Sequence, residues 1–420
     1  MTEQLLQFIW RFQYFNGNEL QAVDGTKLAV IGPGLLNRDQ GPDFSGSTIM
    51  IDSLRLHGQV ELHVRTGDWL KHRHAADPNY GNVILHVVWQ HDVPVNAIPV
   101  LELCHRVPRQ LLGRYGQLML NENLIPCNGN ISLLGALGWT GWKDRLLFER
   151  VERKCRRVKL YLEKNGSEQE SGWWLLAQSF GNRVNAEAFE DLAKSIPLRA
   201  IARNRHSRMR LEALLLGQAG LLEDPPADAY HSILLAEYRI QQQRFALVAP
   251  RIRIFFLRMR PGNFPGLRLA QLAALLFAVP DLPDLVRKTS SLKEMENLLR
   301  VELSHYWQQH YRAAGKIRRV GSRPGKWMAG NIIINAVVPL LFLYSEMSRD
   351  SSFAERAVGW LQQLHRESNA VTDPLLRLGL DQQTAFDSQA VLELKTQYCD
   401  ARKCLECAIG YSLLNPRNNA

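Results

Sequence analysis

The sequence predicts an α+β protein, in which a small mixed-sheet N-terminal domain at residues 1–108 precedes a mainly α-helical region at residues 109–420. Two observations predict this division. Segments with strand patterns, alternating or continuously apolar, fall before residue 108, whereas the apolar residues after it recur with helical spacing. The balance of charge also changes at nearly the same point. Residues 1–110 hold nine basic residues (Lys and Arg) and eleven acidic ones (Asp and Glu), whereas the other 310 residues hold 42 basic and 30 acidic residues.

The N-terminal domain is predicted to follow the order helix, strand, strand, strand, helix, strand. Its first apolar residues recur at helical spacing after Thr2, which is a suitable N-cap. The segment 55–64 alternates, with Val60 and Leu62 on one face, and the segment 83–90 is apolar almost throughout, as in a strand buried on both faces. The predicted elements are a helix at 2–15, strands at 27–31, 47–51 and 55–64, a helix at 67–74, and strands at 83–90 and 98–103.

The second region is predicted to form helices in one or two lobes, because its helical periods are long and are separated by Pro and Gly. Its excess of basic residues favours an anionic partner. The predicted helices lie at 144–162, 186–193, 210–222, 227–246, 267–277, 291–309, 331–343, 353–364 and 390–414.

Composition excludes several classes of protein. With 46% hydrophobic and 22% charged residues, the chain has an ordinary globular balance and not that of a disordered protein. Its longest apolar stretch, 332–344, has 13 residues, fewer than the roughly 18 that a membrane span needs. The first residues lack the basic start of a secretory signal, and six cysteines do not make a disulfide framework in a chain of this length. We therefore expect a cytoplasmic protein without a membrane partner.

The N-terminal domain carries a short acidic motif on its predicted strands. Asp43 follows Pro42 at the end of a turn, and Glu61 and His63 lie two residues apart, on one face of a strand. Because neighbouring strands lie about 4.8 Å apart, Asp43 and Glu61 are predicted to converge on one divalent ion. Pro-Asp followed by Glu-x-His resembles the PD-(D/E)xK nuclease motif with His in place of Lys. The predicted element order is also similar to the αβββαβ core of that superfamily.

The nuclease resemblance implies a restriction-endonuclease-like fold and a role for each residue of the motif. Asp43 and Glu61 would bind Mg²⁺, which takes one or two carboxylates together with waters and substrate phosphate, and His63 would orient a water molecule. The resemblance thus implies a Mg²⁺-dependent phosphodiester hydrolase with catalytic Asp43, Glu61 and His63, or a nuclease-derived protein that binds nucleic acid. The alternative is a non-enzymatic helical scaffold or adaptor, in which the three residues form a structural polar network.

Histidines suggest a second kind of metal site in the same domain, since seven of the twelve lie in the first 105 residues. His63, His72, His74 and His86 offer nitrogen ligands suited to zinc, which leaves a zinc-dependent hydrolase open as a third alternative. On a helix, His72 and His74 would diverge, so both would reach one ion only outside a helix. His86 lies in an apolar strand, where a hydrogen-bonded core histidine is the other interpretation.

Arginines cluster in the helical region, and the planar guanidinium group suits phosphate. Nucleic acid is therefore the partner that the charge favours, with arginines neutralising backbone phosphates. Solvated helix faces with internal ion pairs are the alternative. The predicted nucleic-acid-binding residues are Arg203, Arg205, Arg208, Arg258, Arg260 and Arg323.

Three of the six cysteines, Cys399, Cys404 and Cys407, fall within nine residues of the predicted last helix. On that helix, Cys404 and Cys407 would share one face. A tetrahedral Zn²⁺ site or a [4Fe–4S] cluster needs a fourth ligand, for which Cys127 is the candidate. The other interpretation is that these cysteines are small buried hydrophobic residues.

Segments along nearly the whole chain resemble a bacterial family catalogued as domain of unknown function 2851. The resemblance supports the two-part plan and implies no activity of its own. The resembling segments include 41–44, 58–63, 68–69, 80–92, 212–220, 260–265 and 404–410.

Overall fold

The chain forms two compact units. The first consists of Met1–Trp142, Pro374–Leu380 and Leu392–Ala420, and the second of Lys143–Asp373 and Asp381–Val391. The boundary drawn from sequence, between residues 108 and 109, falls within the first unit. A computed structural model describes residues 1–37, 40–72, 74, 77–95, 98–127, 131–222, 226, 228–256, 259–279, 281–312 and 320–415.

A mixed β-sheet lies in the N-terminal part of the first unit. Its strands are β1 (Leu20–Gln21), β2 (Lys27–Gly32), β3 (Leu35–Leu36), β4 (Phe44–Ile51), β5 (Leu54–Arg65), β6 (Val83–Gln90) and β7 (Val100–Glu102). Across the sheet they follow the order β1-β2-β4-β5-β6-β7, and β3 pairs with β4. The pairs from β1 to β5 are antiparallel, whereas β5, β6 and β7 run parallel. With many helices after the sheet, the fold is α+β, which confirms the predicted class.

Helix α1 (Glu3–Phe12) covers part of this sheet. It begins after Thr2, whose side chain accepts a hydrogen bond from the backbone amide of Leu5 and so serves as the predicted N-cap. Leu6 and Ile9 are fully buried on its inner face. The helix also packs against Tyr411 near the end of the chain, whose ring centroid lies 4.7 Å from that of Phe12. The C-terminal segment therefore returns to the N-terminal sheet, which no local sequence pattern indicates.

The remaining α-helices follow the sheet or connect its strands. A single turn, α2 (Asp68–Lys71), connects β5 to β6 through a 3₁₀ turn at Pro78–Tyr80. The others are α3 (Arg109–Leu120), α4 (Gly135–Asn165), α5 (Glu168–Phe180), α6 (Asn182–Lys194), α7 (Leu198–Asn204), α8 (Arg208–Gln218), α9 (Ala229–Phe245), α10 (Pro265–Ala278), α11 (Leu282–Lys288), α12 (Leu292–Leu298), α13 (Lys326–Ile332), α14 (Val338–Ser348), α15 (Ser351–Gln363), α16 (Thr372–Arg377), α17 (Ala385–Glu393) and α18 (Ala408–Leu414).

The core of the second unit includes a long apolar helical run. Helices α13 and α14 join through a π-helical turn at Ile333–Val337 into one run, Lys326–Ser348. By length and composition alone this run is apolar enough to cross a membrane: an 18-residue window within it has a mean hydropathy of 1.7, and 72% of that window is buried inside the protein. Such burial is that of a core helix. The apolar stretch seen in the sequence at 332–344 is the central part of this run.

Two predicted helices are wrong in part. Of the helix predicted at 291–309, the structure contains α12, which ends at Leu298. Beyond it, the backbone amide of Leu303 donates to the carbonyl of Ser322 and not to a carbonyl four residues earlier, as it would in an α-helix. The helix predicted at 390–414 is interrupted after a π-helical turn, Leu394–Cys399. Arg402 there has a φ of 54°, in the left-handed region, and a right-handed helix cannot continue through it.

Candidate functional site

Asp43 and Glu61 are joined by hydrogen bonds at the middle of the sheet. Asp43 immediately precedes β4, and Glu61 lies in the adjacent β5. The backbone amide of Asp43 donates to Oε2 of Glu61 at 3.0 Å. In return, Oδ2 of Asp43 accepts from the backbone amide of Leu62 at 3.0 Å, and its Oδ1 accepts from Nε2 of Gln7 in α1 at 2.7 Å. The two carboxylates thus hold each other's strands in register.

Three histidines gather beside Glu61. The ligand nitrogens of His63, His72 and His74 all lie within 4.8 Å of one another. Nε2 of His63 is 3.2 Å from Nδ1 of His72, and Oε1 of Glu61 lies 3.5 Å from Nε2 of His63 and 3.4 Å from Nε2 of His74. Three imidazoles therefore converge, and Oε1 of Glu61 lies beside two of them, His63 and His74.

The position at which α2 ends allows His72 and His74 to approach each other. Helix α2 ends at Lys71, with His72 as its C-cap, so His72 and His74 do not continue the α-helix. Both rings could reach one ion only under that condition. The ring of His74 then stacks on Tyr80 at 3.8 Å between centroids, and Trp69 lies beneath His63 and His74.

His86 lies next to the cluster and contacts His63. It lies in β6 directly opposite Glu61, is completely buried, and brings its Nε2 to 2.9 Å from Nδ1 of His63. This contact confirms the interpretation of His86 as a hydrogen-bonded core histidine. It also fixes the ring of His63, whose Nε2 is left facing His72 and Glu61. Within the described part of the chain, Nδ1 of His86 and Nε2 of His74 have no hydrogen-bond partner although both are buried.

Burial disfavours charge on the two carboxyl groups and on the buried histidines. Burial, followed by the charge of Glu3, raises the pKa of Asp43 to about 7, and burial, followed by the charge of Asp43, raises the pKa of Glu61 to about 8. Burial and the neighbouring imidazoles lower the pKa of His63 to about 3 and that of His86 to about 4, and burial also lowers the pKa of His74. His63 and His86 are therefore neutral near pH 7, and metal ligation by His63 requires that neutral form.

The cluster is buried on one side and accessible on the other. Glu61 is 4% exposed and His63 is 1% exposed. Asp43 is half-buried and His72 is exposed, so solvent reaches the cluster from the end of α2.

The donor set fits a transition-metal ion. Three imidazole nitrogens and one carboxylate oxygen suit zinc, manganese or iron, whereas magnesium prefers oxygen ligands alone. Both oxygens of the Asp43 carboxylate already accept hydrogen bonds from the protein. Magnesium binding by Asp43 and Glu61 stays a prediction. Asn37, beside the motif, donates to the carbonyls of Gln40 and Pro42 and so caps the turn.

Most of the predicted nucleic-acid-binding arginines lie on the surface of the second unit. The side chains of Arg203, Arg205, Arg260 and Arg323 are exposed, and within the described residues none of these four forms an ion pair. Arg208 is partly buried, with its guanidinium 5.2 Å from the ring centroid of Phe277. Arg258 lies outside the described residues.

The four predicted cysteine ligands lie together in the first unit. Cys127, Cys399, Cys404 and Cys407 are all buried and unpaired by disulfides. The prediction that Cys404 and Cys407 share a helix face is wrong, because turns occupy the segment between the π-helical turn and α18. Of the other two cysteines, Cys104 follows β7 in the first unit and Cys155 lies in α4, in the second.

Comparison with known proteins identifies the family. A family model described as "Protein of unknown function (DUF2851)" matches residues 3–370. The chain belongs to the DUF2851 family. The match confirms the resemblance to this family over residues 3–370, includes the whole carboxylate–histidine cluster of this DUF2851 chain, and ends before Cys399 and the resembling segment 404–410. Neither a curated protein nor a solved structure gives a significant match to the chain.

Several contributors to the site of this DUF2851 protein escape sequence analysis. Gln7 lies in an amphipathic helix and gives no sign that it reaches Asp43, because their contact depends on how α1 packs on the sheet. Tyr80 and Trp69 read as ordinary aromatic residues. The sequence signal that does point to His72 and His74 is the high density of histidines between β5 and β6.

Proposed function

We propose that this protein is a metal-dependent phosphodiester hydrolase acting on nucleic acid, with a transition-metal ion held by His63, His72, His74 and Glu61. The observation that carries the proposal is the convergence of the ligand nitrogens of His63, His72 and His74, with Oε1 of Glu61 3.5 Å and 3.4 Å from Nε2 of His63 and His74. Burying polar groups costs free energy unless they are satisfied, and among the described residues the buried Nε2 of His74 has no hydrogen-bond partner. A cation bound there would satisfy the buried nitrogens and Oε1 of Glu61 together.

The bound metal would supply a Lewis acid that activates water and offsets the charge of a phosphodiester. The chain's own residues would prepare the site for it. His86 holds His63 through Nδ1 and leaves Nε2 available, which is the usual arrangement behind a metal-binding histidine. Asp43 is a positioning residue, since its amide fixes Oε2 of Glu61 and turns Oε1 toward the histidines. His72, the exposed ligand, lies on the side from which substrate would enter.

Two observations support nucleic acid as the substrate. Arg203, Arg205, Arg260 and Arg323 offer exposed guanidinium groups that pair with no carboxylate among the described residues, as phosphate binding needs. With the two-residue strands β1 and β3 set aside, the order α1, β2, β4, β5, α2, β6 also resembles the αβββαβ order of the PD-(D/E)xK nucleases, with Asp43 before one central strand and Glu61 and His63 on the next. A restriction-endonuclease-like core is part of the proposal.

A cleavage assay with matched variants tests this function. Purified full-length protein is incubated with labelled single- and double-stranded DNA and RNA, and with Mg²⁺, Mn²⁺ or Zn²⁺. We expect metal-dependent cleavage that is lost in Glu61→Gln and His72→Ala. His57→Ala is the matched control, because His57 lies on the same strand but is exposed and lies within hydrogen-bond distance of Thr48, away from the motif. Salt-sensitive binding without cleavage would indicate a nuclease-derived binding protein.

Burial favours a second candidate, a non-enzymatic scaffold. Glu61, His63 and His86 are almost completely buried and hydrogen-bonded to one another or to Asp43, as expected of a structural network. This candidate predicts neither metal binding nor cleavage. It also predicts that Glu61→Gln and His63→Ala lower stability, whereas His72→Ala has no effect because that side chain is exposed.

A further inference from the structure

Four buried thiols converge in the first unit from two distant parts of the chain. Cys127 follows α3, whereas Cys399, Cys404 and Cys407 lie near the C-terminus. Each is less than a tenth exposed. Burial raises the pKa of Cys127 to about 12 and that of Cys404 to about 11, and each of the six pairs among the four thiols contributes electrostatically to at least one of these shifts. These contributions agree with the hydrogen bonds that join the two segments.

A chain of hydrogen bonds holds the two segments in contact. The guanidinium of Arg402, between Cys399 and Cys404, donates to the backbone carbonyls of Leu118 and Asn121. Nδ2 of Asn121 in turn donates to the carbonyl of Pro126, next to Cys127, at 2.8 Å. The left-handed conformation of Arg402, which interrupts the helix, is thus part of the arrangement that brings the cysteines together.

The backbone turns tightly between the last cysteines and α18. A Cβ atom at Gly410 would lie 2.1 Å from the carbonyl oxygen of Cys404, so only glycine allows the chain to turn this tightly. Burial raises the pKa of the Cys407 thiol, as it does for the other three cysteines.

The spacing of the sulfurs distinguishes the kind of centre. In the part of the chain that the structure describes, His63, His72 and His74 are the one set of three metal-capable side chains with all ligand atoms within 4.8 Å. No three of the cysteine sulfurs are therefore that close. A single zinc ion with Zn–S bonds of about 2.3 Å would bring the sulfurs to about 3.8 Å from one another. A cluster in which each cysteine binds a different iron atom accommodates wider spacing.

The geometry points to a [4Fe–4S] cluster bound by Cys127, Cys399, Cys404 and Cys407, which fastens the C-terminal segment to the N-terminal unit. The segment it fastens includes α18, whose Tyr411 packs on α1. Helix α1 in turn carries Gln7, the partner of Asp43. The cluster is therefore a structural centre of the unit that contains the histidine site, and it does not depend on whether that site is catalytic.

Metal analysis of the full-length protein purified without oxygen tests this inference. We expect a brown protein with about four iron atoms and about four acid-labile sulfides per chain. Cys404→Ser and Cys127→Ser should lose most of both, whereas Cys104→Ser should keep them. Cys104 is the matched control because it lies in the same unit, outside the group of four.

The wild-type protein alone can overturn the inference, so a variant that fails to fold does not obscure it. Colourless protein that takes up no iron after incubation with ferrous iron and sulfide under reducing conditions would show that the cysteines are only core residues. About one zinc ion per chain, lost in Cys404→Ser and retained in His72→Ala, would show a mononuclear thiolate site instead. Either result leaves the cleavage assay unaffected, since the histidine variants test that site separately.

Discussion

The backbone amide of Asp43 lies 3.0 Å from Oε2 of Glu61 and donates a hydrogen bond to it. This bond occupies one carboxylate oxygen and leaves the other, Oε1, 3.5 Å and 3.4 Å from Nε2 of His63 and His74. The motif found in the sequence therefore has two different parts. Glu61 faces the imidazoles, whereas Asp43 binds the protein with its amide and both carboxylate oxygens.

Removing the Asp43 side chain should destabilise the protein. In Asp43→Ala, the amides of Leu62 and Gln7 lose their acceptor within a partly buried site. A buried donor left unsatisfied costs about 1–3 kcal/mol, so we expect that loss in the free energy of unfolding measured by urea denaturation. Asp24→Ala, which removes an exposed carboxylate of the same unit, should change it by less than about 0.5 kcal/mol. Equal values for the two variants would contradict the role given to Asp43.

The metal-free protein should lose stability between pH 6.5 and 8. Because the pKa values of Asp43 and Glu61 are raised to about 7 and about 8, their stabilising contribution is complete at low pH and is lost as the pH rises through those values. The pKa values of His63 and His86 are lowered instead, to about 3 and about 4. Their stabilising contribution is therefore lost only as the pH falls from 6.5 toward those values.

Thermal denaturation across this pH range separates the two effects. Each group contributes at most about 1.4 kcal/mol per pH unit. We expect a decline from pH 6.5 to 8 that is reduced in Glu61→Gln and after Zn²⁺ is added. An identical slope in wild type and Glu61→Gln would mean that Glu61 does not titrate in this range.

The histidines should differ in how strongly they control metal affinity. His72→Ala removes an exposed ligand, so it should weaken Zn²⁺ binding strongly while leaving stability nearly unchanged. His86→Leu removes the partner of His63 and should weaken binding by about 10–100-fold, less than His72→Ala. Competition titration with a coloured chelator measures both, with His57→Ala expected to bind as wild type does. Unchanged affinity in His72→Ala would exclude it as a ligand.

The exposed arginines should control nucleic-acid affinity and its salt dependence. Each phosphate contact contributes about 0.9 to the slope of log affinity against log salt concentration on duplex DNA. Arg203→Ala and Arg323→Ala should therefore each weaken binding and reduce that slope by up to about 1. Lys288→Ala is the control, since Lys288 is exposed in the same unit but paired with Asp284. Fluorescence anisotropy at several salt concentrations gives the slopes, and equal slopes for all three variants would exclude these arginines.

The order of elements in the N-terminal domain could be predicted from sequence because each strand has its own apolar pattern. The segment 83–90 coincides with β6, and the strands predicted at 47–51 and 55–64 coincide with most of β4 and β5. Whether neighbouring strands run parallel or antiparallel depends on chain connections and could not be read from those patterns. The position of Glu61 and His63 on one face follows from the two-residue period of a strand and required no further information.

The rest of the site depends on contacts between distant segments. His72 and His74 reach one point only because α2 ends at Lys71, a boundary that local propensity does not set. The four cysteines were grouped by type and spacing, but a continuous helix was expected where the left-handed Arg402 interrupts the chain. The return of the C-terminal segment to α1 follows from tertiary packing, for which the sequence has no periodic signal.

X-ray absorption spectroscopy of the zinc-loaded protein tests the proposed metal centre most directly. Zinc bound by His63, His72, His74 and Glu61 should have nitrogen and oxygen neighbours at about 2.0–2.1 Å, and this shell should be lost in His72→Ala but kept in His57→Ala. A first shell made only of sulfur at about 2.3 Å would place the ion at the cysteines. That result, or zinc that washes out of the wild-type protein, would contradict a metal-dependent hydrolase at the histidine cluster.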